Sequence, residues 1–132
     1  MQELTIPARL DRFGELLEFI GAATQAAGLD LKNQNNINIA VEEIFVNIAS
    51  YAYPDGEGVV TVRISFEADT FTAEFKDSGM FYNPLGKADP DTYLSAGERE
   101  IGGLGIFMVK KIMDEVSYEY KNGQNILTIR KG

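Results

Sequence analysis

The chain has 132 residues, an apolar fraction of 45% and a net charge of −8, and it contains neither cysteine nor histidine. Its length fits a single domain spanning residues 1–132, and its apolar fraction is ordinary for a globular protein. The composition excludes disulfides, thiolate or histidine catalysis and cysteine or histidine metal sites, and the acidic charge argues against polynucleotide binding.

The first half of the chain predicts one strand followed by two helices. Residues 3–6 form a short strand that Pro7 ends. The apolar residues of the first helix recur at helical spacing, namely Leu10, Phe13, Leu17 and Ile20. Gly28 closes that helix, and a second helix spans about residues 31–53. Its apolar stripe consists of Ile37, Val41, Ile44 and Ile48.

The second half predicts two hairpins separated by a loop and a third helix. Strict alternation over residues 60–67 and 71–76 indicates an antiparallel pair with a turn at Asp69-Thr70. Residues 84–101 show no periodicity, which is typical of a lid or binding loop. A helix over residues 103–113 precedes a hairpin joined at Asn122-Gly123. This order predicts an α+β, two-layer sandwich, with three helices on one face of a mixed, mostly antiparallel sheet.

Polar residues gather on one side of the second predicted helix. Glu43 and Asn47 lie four residues apart, so their side chains are neighbours. A carboxylate beside an amide oxygen suits Mg²⁺. Glu42 lies about 140° round the helix from Asn47, which favours Glu43 as the working carboxylate. A solvated helix face would show the same pair, so both interpretations stay open.

Two glycine-containing segments complete the set of candidate residues. Asp77-Ser78-Gly79 follows an apolar strand, where a fixed carboxylate can accept hydrogen bonds from an amino group such as that of adenine. Gly102-Gly103-Leu104-Gly105 enters the third helix, where backbone N–H groups and the helix dipole favour a phosphate. Alone, the first segment is better explained as an ordinary Asp-Gly turn, and the second fits a tight turn equally well.

Taken in order, these segments resemble the GHKL ATPase superfamily, whose ATP-binding domain has the Bergerat-type fold. Glu43-x-x-x-Asn47 is similar to its N box, Asp77-x-Gly79 to its G1 box, and Gly102-Gly103-Leu104-Gly105 to its G2 box. Thr128 matches the late threonine of the family. The closest likeness is to the small bacterial anti-sigma-factor serine/threonine kinases, and it covers essentially the whole chain.

The resemblance implies a role for each matching residue. Asn47 would bind Mg²⁺, and Glu43 would be catalytic by activating the attacking hydroxyl. Asp77 would accept the adenine amino group, Gly79 would open room beside the base, and Thr128 would support adenine through water.

The remaining matching residues are expected at the phosphate end of the nucleotide. The Gly102-Gly103-Leu104-Gly105 segment would contact the phosphates through its glycines, and an ATP lid over about residues 84–101 would close over them. The chain departs from the family at Tyr51, where many of these kinases carry histidine.

The resemblance therefore implies an enzyme that uses ATP and Mg²⁺ to phosphorylate a serine or threonine of an anti-anti-sigma (STAS-type) protein. It would also hold a sigma factor inactive. The alternative is a non-catalytic, ATP-dependent protein-binding switch of the same fold. No apolar run is long enough to span a bilayer, so we expect a cytoplasmic protein that contacts neither membrane nor nucleic acid directly. A homodimer is the oligomeric state that the family implies.

Overall fold

The framework of the domain is one sheet of five strands in the order β1-β2-β3-β5-β4. The structure is a computed structural model that describes residues 2–54, 57–81 and 103–132, with side chains in the last range from residue 106 onward. All neighbouring strands pair antiparallel, so the described sheet is wholly antiparallel. The strands are β1 (Gln2–Pro7), β2 (Val59–Glu67), β3 (Thr70–Asp77), β4 (Glu115–Lys121) and β5 (Gln124–Lys131).

Two tight turns join the consecutive strand pairs. Asn122 and Gly123 both have positive φ, 55° and 75°, as the predicted Asn-Gly hairpin requires. In the first hairpin the left-handed residues are Ala68 and Asp69, with φ of 52° and 63°. The predicted Asp69-Thr70 turn was therefore one residue late, because Thr70 already belongs to β3 and pairs with Glu67.

Three α-helices connect the strands. A short 3₁₀ turn (Leu10–Arg12) leads into α1 (Phe13–Ala26), and α2 (Leu31–Tyr51) and α3 (Gly103–Ile112) follow. Gly28 has the predicted left-handed conformation after α1, with φ of 74°. The Asp30 side chain caps α2 by accepting a hydrogen bond of 2.8 Å from the Asn33 N–H. At its other end α2 stops at Tyr51, two residues before the predicted end at residue 53.

The predicted apolar face of the first helix was partly wrong. Leu10 is 58% exposed and Leu17 is 40% exposed, whereas Leu16 is fully buried. Leu10 lies in the 3₁₀ turn and does not share the periodicity of α1. The buried side of the helix is instead formed by residues four apart, Leu16, Ile20 and Thr24.

The helices cover one face of the sheet, and the core lies between the two layers. The predicted stripe of α2 is buried throughout, and it packs in one cluster with alternate residues of the central strands. The strand residues of this cluster are Ile6, Val60, Val62, Ile64, Phe71, Ala73, Phe75, Leu127 and Ile129. The predicted α+β fold class is confirmed. Among the described residues, no helix combines the length and apolar character that crossing a membrane requires.

Candidate functional site

A cleft lies between the C-terminal half of α2 and the helix-facing side of the sheet. It encloses about 440 Å³ of space between the atoms, including space open to solvent. Helix α2 lines one wall with Ile44, Asn47, Ile48 and Tyr51. The opposite wall is formed by residues of the sheet, of the turn after β3 and of α3, namely Phe75, Asp77, Met80, Ile106, Tyr118, Asn125 and Leu127. The cleft is mainly apolar with a few polar side chains, as ligand sites commonly are.

The buried polar side chains of the domain concentrate at this cleft. Among the residues that the structure describes, Thr24, Asn47, Asp77 and Asn125 are the buried polar or charged ones. All but Thr24 line the cleft. Burying a polar group costs free energy unless it finds a partner, so this concentration distinguishes the cleft from the remaining core.

Asp77 is held at the end of β3 by two hydrogen bonds to the same carboxylate oxygen. Its Oδ1 accepts from the Gly79 N–H at 2.9 Å and from Asn125 Nδ2 at 3.0 Å. Burial raises the pKa of Asp77, while the hydrogen bonds from Asn125 and Gly79 act in the opposite direction. The carboxylate is therefore fixed in position inside an environment that disfavours its charge.

Asn47 brings a second polar group to the cleft from α2. Its Nδ2 is buried and has no hydrogen-bond partner among the described residues. Glu43 lies one helical turn earlier and is half-buried, whereas Glu42 is exposed. Glu43 is outside the set of residues that line the cleft.

The turn after β3 packs directly against the end of α2. A Cβ atom added at Gly79 would lie 2.1 Å from the carbonyl oxygen of Ala52. The same oxygen accepts a hydrogen bond of 2.8 Å from the Met80 N–H. Gly79 is thus required by a close approach to α2, a contact that the sequence did not predict.

Tyr53 strengthens this junction with its hydroxyl group. The hydroxyl donates to the carbonyl oxygen of Val59 at 2.6 Å and accepts from the Ser78 N–H at 2.9 Å. It therefore links the start of β2 to the turn that follows β3. A Cβ atom at Gly58 would lie 2.2 Å from the Tyr53 ring, so glycine at that position lets the ring pack.

The glycine-rich segment lies partly within the described residues. Helix α3 begins at Gly103, as predicted, and its backbone includes Leu104 and Gly105. Gly102 and the predicted lid, residues 84–101, lie outside the described residues. Farther along α3, Ile106 lines the cleft. The start of this helix thus lies less than one turn before a residue of the cleft.

The placement of Thr128 beside the base needs correction. Successive residues of a strand point to opposite faces, and the buried residues of β5 are Asn125, Leu127 and Ile129. Thr128 therefore faces away from the helices, between Glu74 of β3 and Ser117 of β4. It is outside the set of residues that line the cleft.

Sequence reasoning missed Asn125, which occupies the position opposite Asp77. The register pairs Asp77 with Asn125, and the Tyr118 hydroxyl donates a hydrogen bond to Asn125 Oδ1. The available signal was a polar residue in phase with Leu127 and Ile129 on the apolar face of the last predicted strand. Recognising it also required knowing that β5 pairs with β3.

Comparison with known sequences assigns the domain. Residues 6–131 match the profile of the histidine kinase-like ATPase domain. The chain belongs to this family. The resemblance to the superfamily that the motifs indicated is thereby confirmed.

Relatives within the family point to one functional group. The chain is 28% identical over 114 residues to an anti-sigma F factor of Clostridium acetobutylicum, covering 85% of this chain and 80% of that protein. It is 22% identical over 129 residues to the serine-protein kinase RsbW of Bacillus mycoides, covering 95% and 81%. A serine-protein kinase RsbW of Halalkalibacterium halodurans is 25% identical over 127 residues, with 92% and 76% covered.

Proposed function

We propose that this protein is an ATP-dependent serine/threonine kinase of the anti-sigma type. The observation that carries the proposal is the convergence of Asp77, Asn47 and Asn125 as buried polar groups in one cleft. That cleft lies in a chain of the histidine kinase-like ATPase family. ATP binds there, with its base against Asp77 and its phosphates toward Asn47 and the start of α3.

The polar groups of the cleft suit the two ends of the nucleotide. The Asp77 carboxylate accepts a hydrogen bond from the adenine amino group. At the other end, Asn47 lines the cleft, and its amide oxygen is a ligand type that Mg²⁺ accepts. Asn47 would hold Mg²⁺, which neutralises phosphate charge when bound together with ATP. The backbone at the start of α3 offers N–H groups to the phosphates.

Glu43 supplies the base for phosphoryl transfer. Its carboxylate lies one turn from Asn47 on the same helix and is half-buried. The hydroxyl oxygen of the substrate serine or threonine forms a bond to the γ-phosphorus, and the bond to the bridging oxygen breaks. ADP leaves with that electron pair, and Glu43 takes the hydroxyl proton. Positioning and charge neutralisation contribute most of the catalysis in such reactions.

The names of the relatives, rather than a surface of this domain, support the proposed partners. One relative is named an anti-sigma factor and others are named serine-protein kinases. We propose that the substrate is an anti-anti-sigma (STAS-type) protein and that the chain holds a sigma factor inactive. We further propose that the activity is cytoplasmic, where both partners would act, and that the functional unit is a homodimer, which the family resemblance implies.

Phosphate transfer to the anti-anti-sigma-type protein of the same organism tests catalysis. With γ-labelled ATP, the wild type is expected to label the partner. Glu43→Gln is expected to lose at least about 100-fold in rate, within the range that a general base contributes, while keeping its affinity for ATP. Glu42→Gln is the matched control, because its carboxylate is adjacent in sequence but exposed.

The same experiment separates the kinase from a non-catalytic switch. Equal rates for wild type and Glu43→Gln would contradict the catalytic role of this carboxylate. No labelling by a wild type that binds ATP and its partner would leave the alternative, an ATP-dependent protein-binding switch. Absence of ATP binding to the folded wild type would refute both functions.

A further inference from the structure

A chain of hydrogen bonds runs from the edge strand of the sheet to the carboxylate of Asp77. The Tyr118 hydroxyl of β4 donates to Asn125 Oδ1. Asn125 Nδ2 then donates to Asp77 Oδ1 at 3.0 Å and to the carbonyl oxygen of Met80 at 2.8 Å. All four residues line the cleft. This hydrogen-bond chain thus crosses three strands and ends at the carboxylate that is proposed to meet the base.

We propose that Asn125, oriented by Tyr118, is the positioning residue that makes Asp77 specific for a purine carrying an exocyclic amino group. Asn125 acts by fixing one oxygen of the carboxylate so that the other is presented to the ligand. This inference rests on the proposed ATP site and concerns how that site recognises the base. It assigns the recognition of adenine to three residues rather than to Asp77 alone.

The partners of Asn125 determine the orientation of its side-chain amide. An amide NH₂ group has two donors and the amide oxygen is an acceptor. In the observed orientation both donors meet acceptors, Asp77 Oδ1 and the Met80 carbonyl, and the oxygen meets the Tyr118 hydroxyl. Rotation by half a turn would place the amide oxygen against two other acceptor oxygens. The orientation is therefore unique, and Asn125 directs its donors toward Asp77.

The carboxylate is consequently held by one oxygen. Oδ1 of Asp77 accepts from Asn125 Nδ2 and from the Gly79 N–H. Both of these bonds end on Oδ1, so Oδ2 is the oxygen that faces an incoming donor. Because the two donors come from β5 and from the turn after β3, they fix the side-chain torsion angles of Asp77 and the position of its carboxylate in the cleft.

This arrangement predicts discrimination between purines. An ionised carboxylate can only accept hydrogen bonds, so it matches the amino group of adenine and repels the carbonyl oxygen at the same position of guanine. A base without this amino group leaves Oδ2 of the desolvated carboxylate without a hydrogen-bond donor from the ligand. Since hydrogen bonds to charged groups contribute strongly, the amino group should raise affinity by roughly tenfold or more.

The decisive measurement is a thermodynamic cycle on the full chain by calorimetric titration. ATP is compared with purine riboside triphosphate, which lacks the exocyclic amino group, for the wild type and Asn125→Leu. The wild type is expected to bind ATP at least about tenfold more tightly than the analogue. For Asn125→Leu this ratio should fall below about threefold, mainly because ATP binding weakens. Thr72→Val is the matched control and should keep the ratio of the wild type, because Thr72 alternates along β3 with the buried Phe71 and Ala73 and does not line the cleft.

Equal weakening of both nucleotides by Asn125→Leu would overturn the inference, because it would mean a general structural role. If Asn125→Leu fails to fold, Tyr118→Phe replaces it in the same measurement. This variant should lower the ratio of the two nucleotide affinities by roughly threefold. An unchanged ratio in Tyr118→Phe would contradict the orienting role of its hydroxyl. If the folded wild type binds neither nucleotide, the proposed ATP site itself is refuted. This outcome differs from equal weakening of both nucleotides, which refutes only the positioning role of Asn125.

Discussion

The close approach of Gly79 to the end of α2 makes a quantitative prediction for Gly79→Ala. The added Cβ would lie 2.1 Å from the Ala52 carbonyl oxygen and 2.6 Å from the Ala52 carbonyl carbon and Cβ. Ordinary contact begins near 3.4 Å, so one of the two segments has to move by more than about 1 Å. Neither can adjust by rotating a side chain, because the contact involves backbone atoms.

The cost of this movement has two parts. Forcing extra volume into a packed junction costs roughly 1–3 kcal/mol. The same displacement lengthens the 2.8 Å hydrogen bond from the Met80 N–H to the Ala52 carbonyl oxygen, which adds about 1 kcal/mol. We therefore expect Gly79→Ala to lower the free energy of unfolding by about 2–4 kcal/mol and the melting temperature by roughly 6–15 °C.

Urea denaturation followed by far-ultraviolet circular dichroism measures this change, with Gly21→Ala as the matched control. Gly21 lies inside α1 and a Cβ atom there would meet nothing within 4 Å. Alanine is the better helix former, so the control should gain about 0.5–1 kcal/mol. A loss below about 0.5 kcal/mol in Gly79→Ala would refute the reasoning, because the junction would then be too soft to require glycine.

Three further changes test the groups around Asp77. Tyr53→Phe removes the hydroxyl that joins Val59 to Ser78, so we expect a loss of about 1–2 kcal/mol in unfolding free energy and weaker ATP binding by calorimetry. Asp77→Asn should abolish measurable ATP binding but leave the melting temperature equal to or above that of the wild type. The folded-state pKa of Asp77 is raised, which means that its ionised form destabilises the fold above that pKa, and asparagine removes this charge. Finally, ATP affinity should fall as the pH is lowered through the raised pKa of Asp77, beginning above the ordinary aspartate value near 4. A wild-type affinity for ATP that stays constant as the pH is lowered toward the ordinary aspartate value would contradict this dependence.

Local patterns predicted most of the helices and strands because apolar periodicity and turn residues are read from a few neighbouring positions. The stripe of α2 and the Asn122-Gly123 turn followed from spacing and turn chemistry alone. The error in α1 arose because Leu10 lies in a 3₁₀ turn before the helix. Counting the helical spacing from Leu10 therefore gave the wrong apolar face. The pairing of β5 with β3 was also invisible, since strand order depends on contacts between residues far apart in the chain.

The candidate site was predictable to the extent that its residues lie in recognisable local motifs. Asp77 and Asn47 belong to such motifs, and both line the cleft. Asn125 belongs to none, because its importance comes only from the register that places it opposite Asp77. Thr128 was misplaced for the related reason that a match by residue type ignores the alternation of a strand. Resemblance located the elements of the site, and the sheet determined which side chains enter it.

The junction at Gly79 has a consequence for how the two ends of the cleft act together. The turn after Asp77 is hydrogen-bonded through the Met80 N–H to Ala52, the residue that follows α2, and α2 carries Asn47. A displacement of this turn therefore changes the distance between Asp77 and Asn47 across the cleft. Gly79→Ala should lower stability and ATP affinity together, whereas Asp77→Asn should lower affinity without lowering stability. If both variants lost stability in proportion to affinity, Asp77 would be a structural residue of the junction, and base recognition would have to be assigned to another group of the cleft.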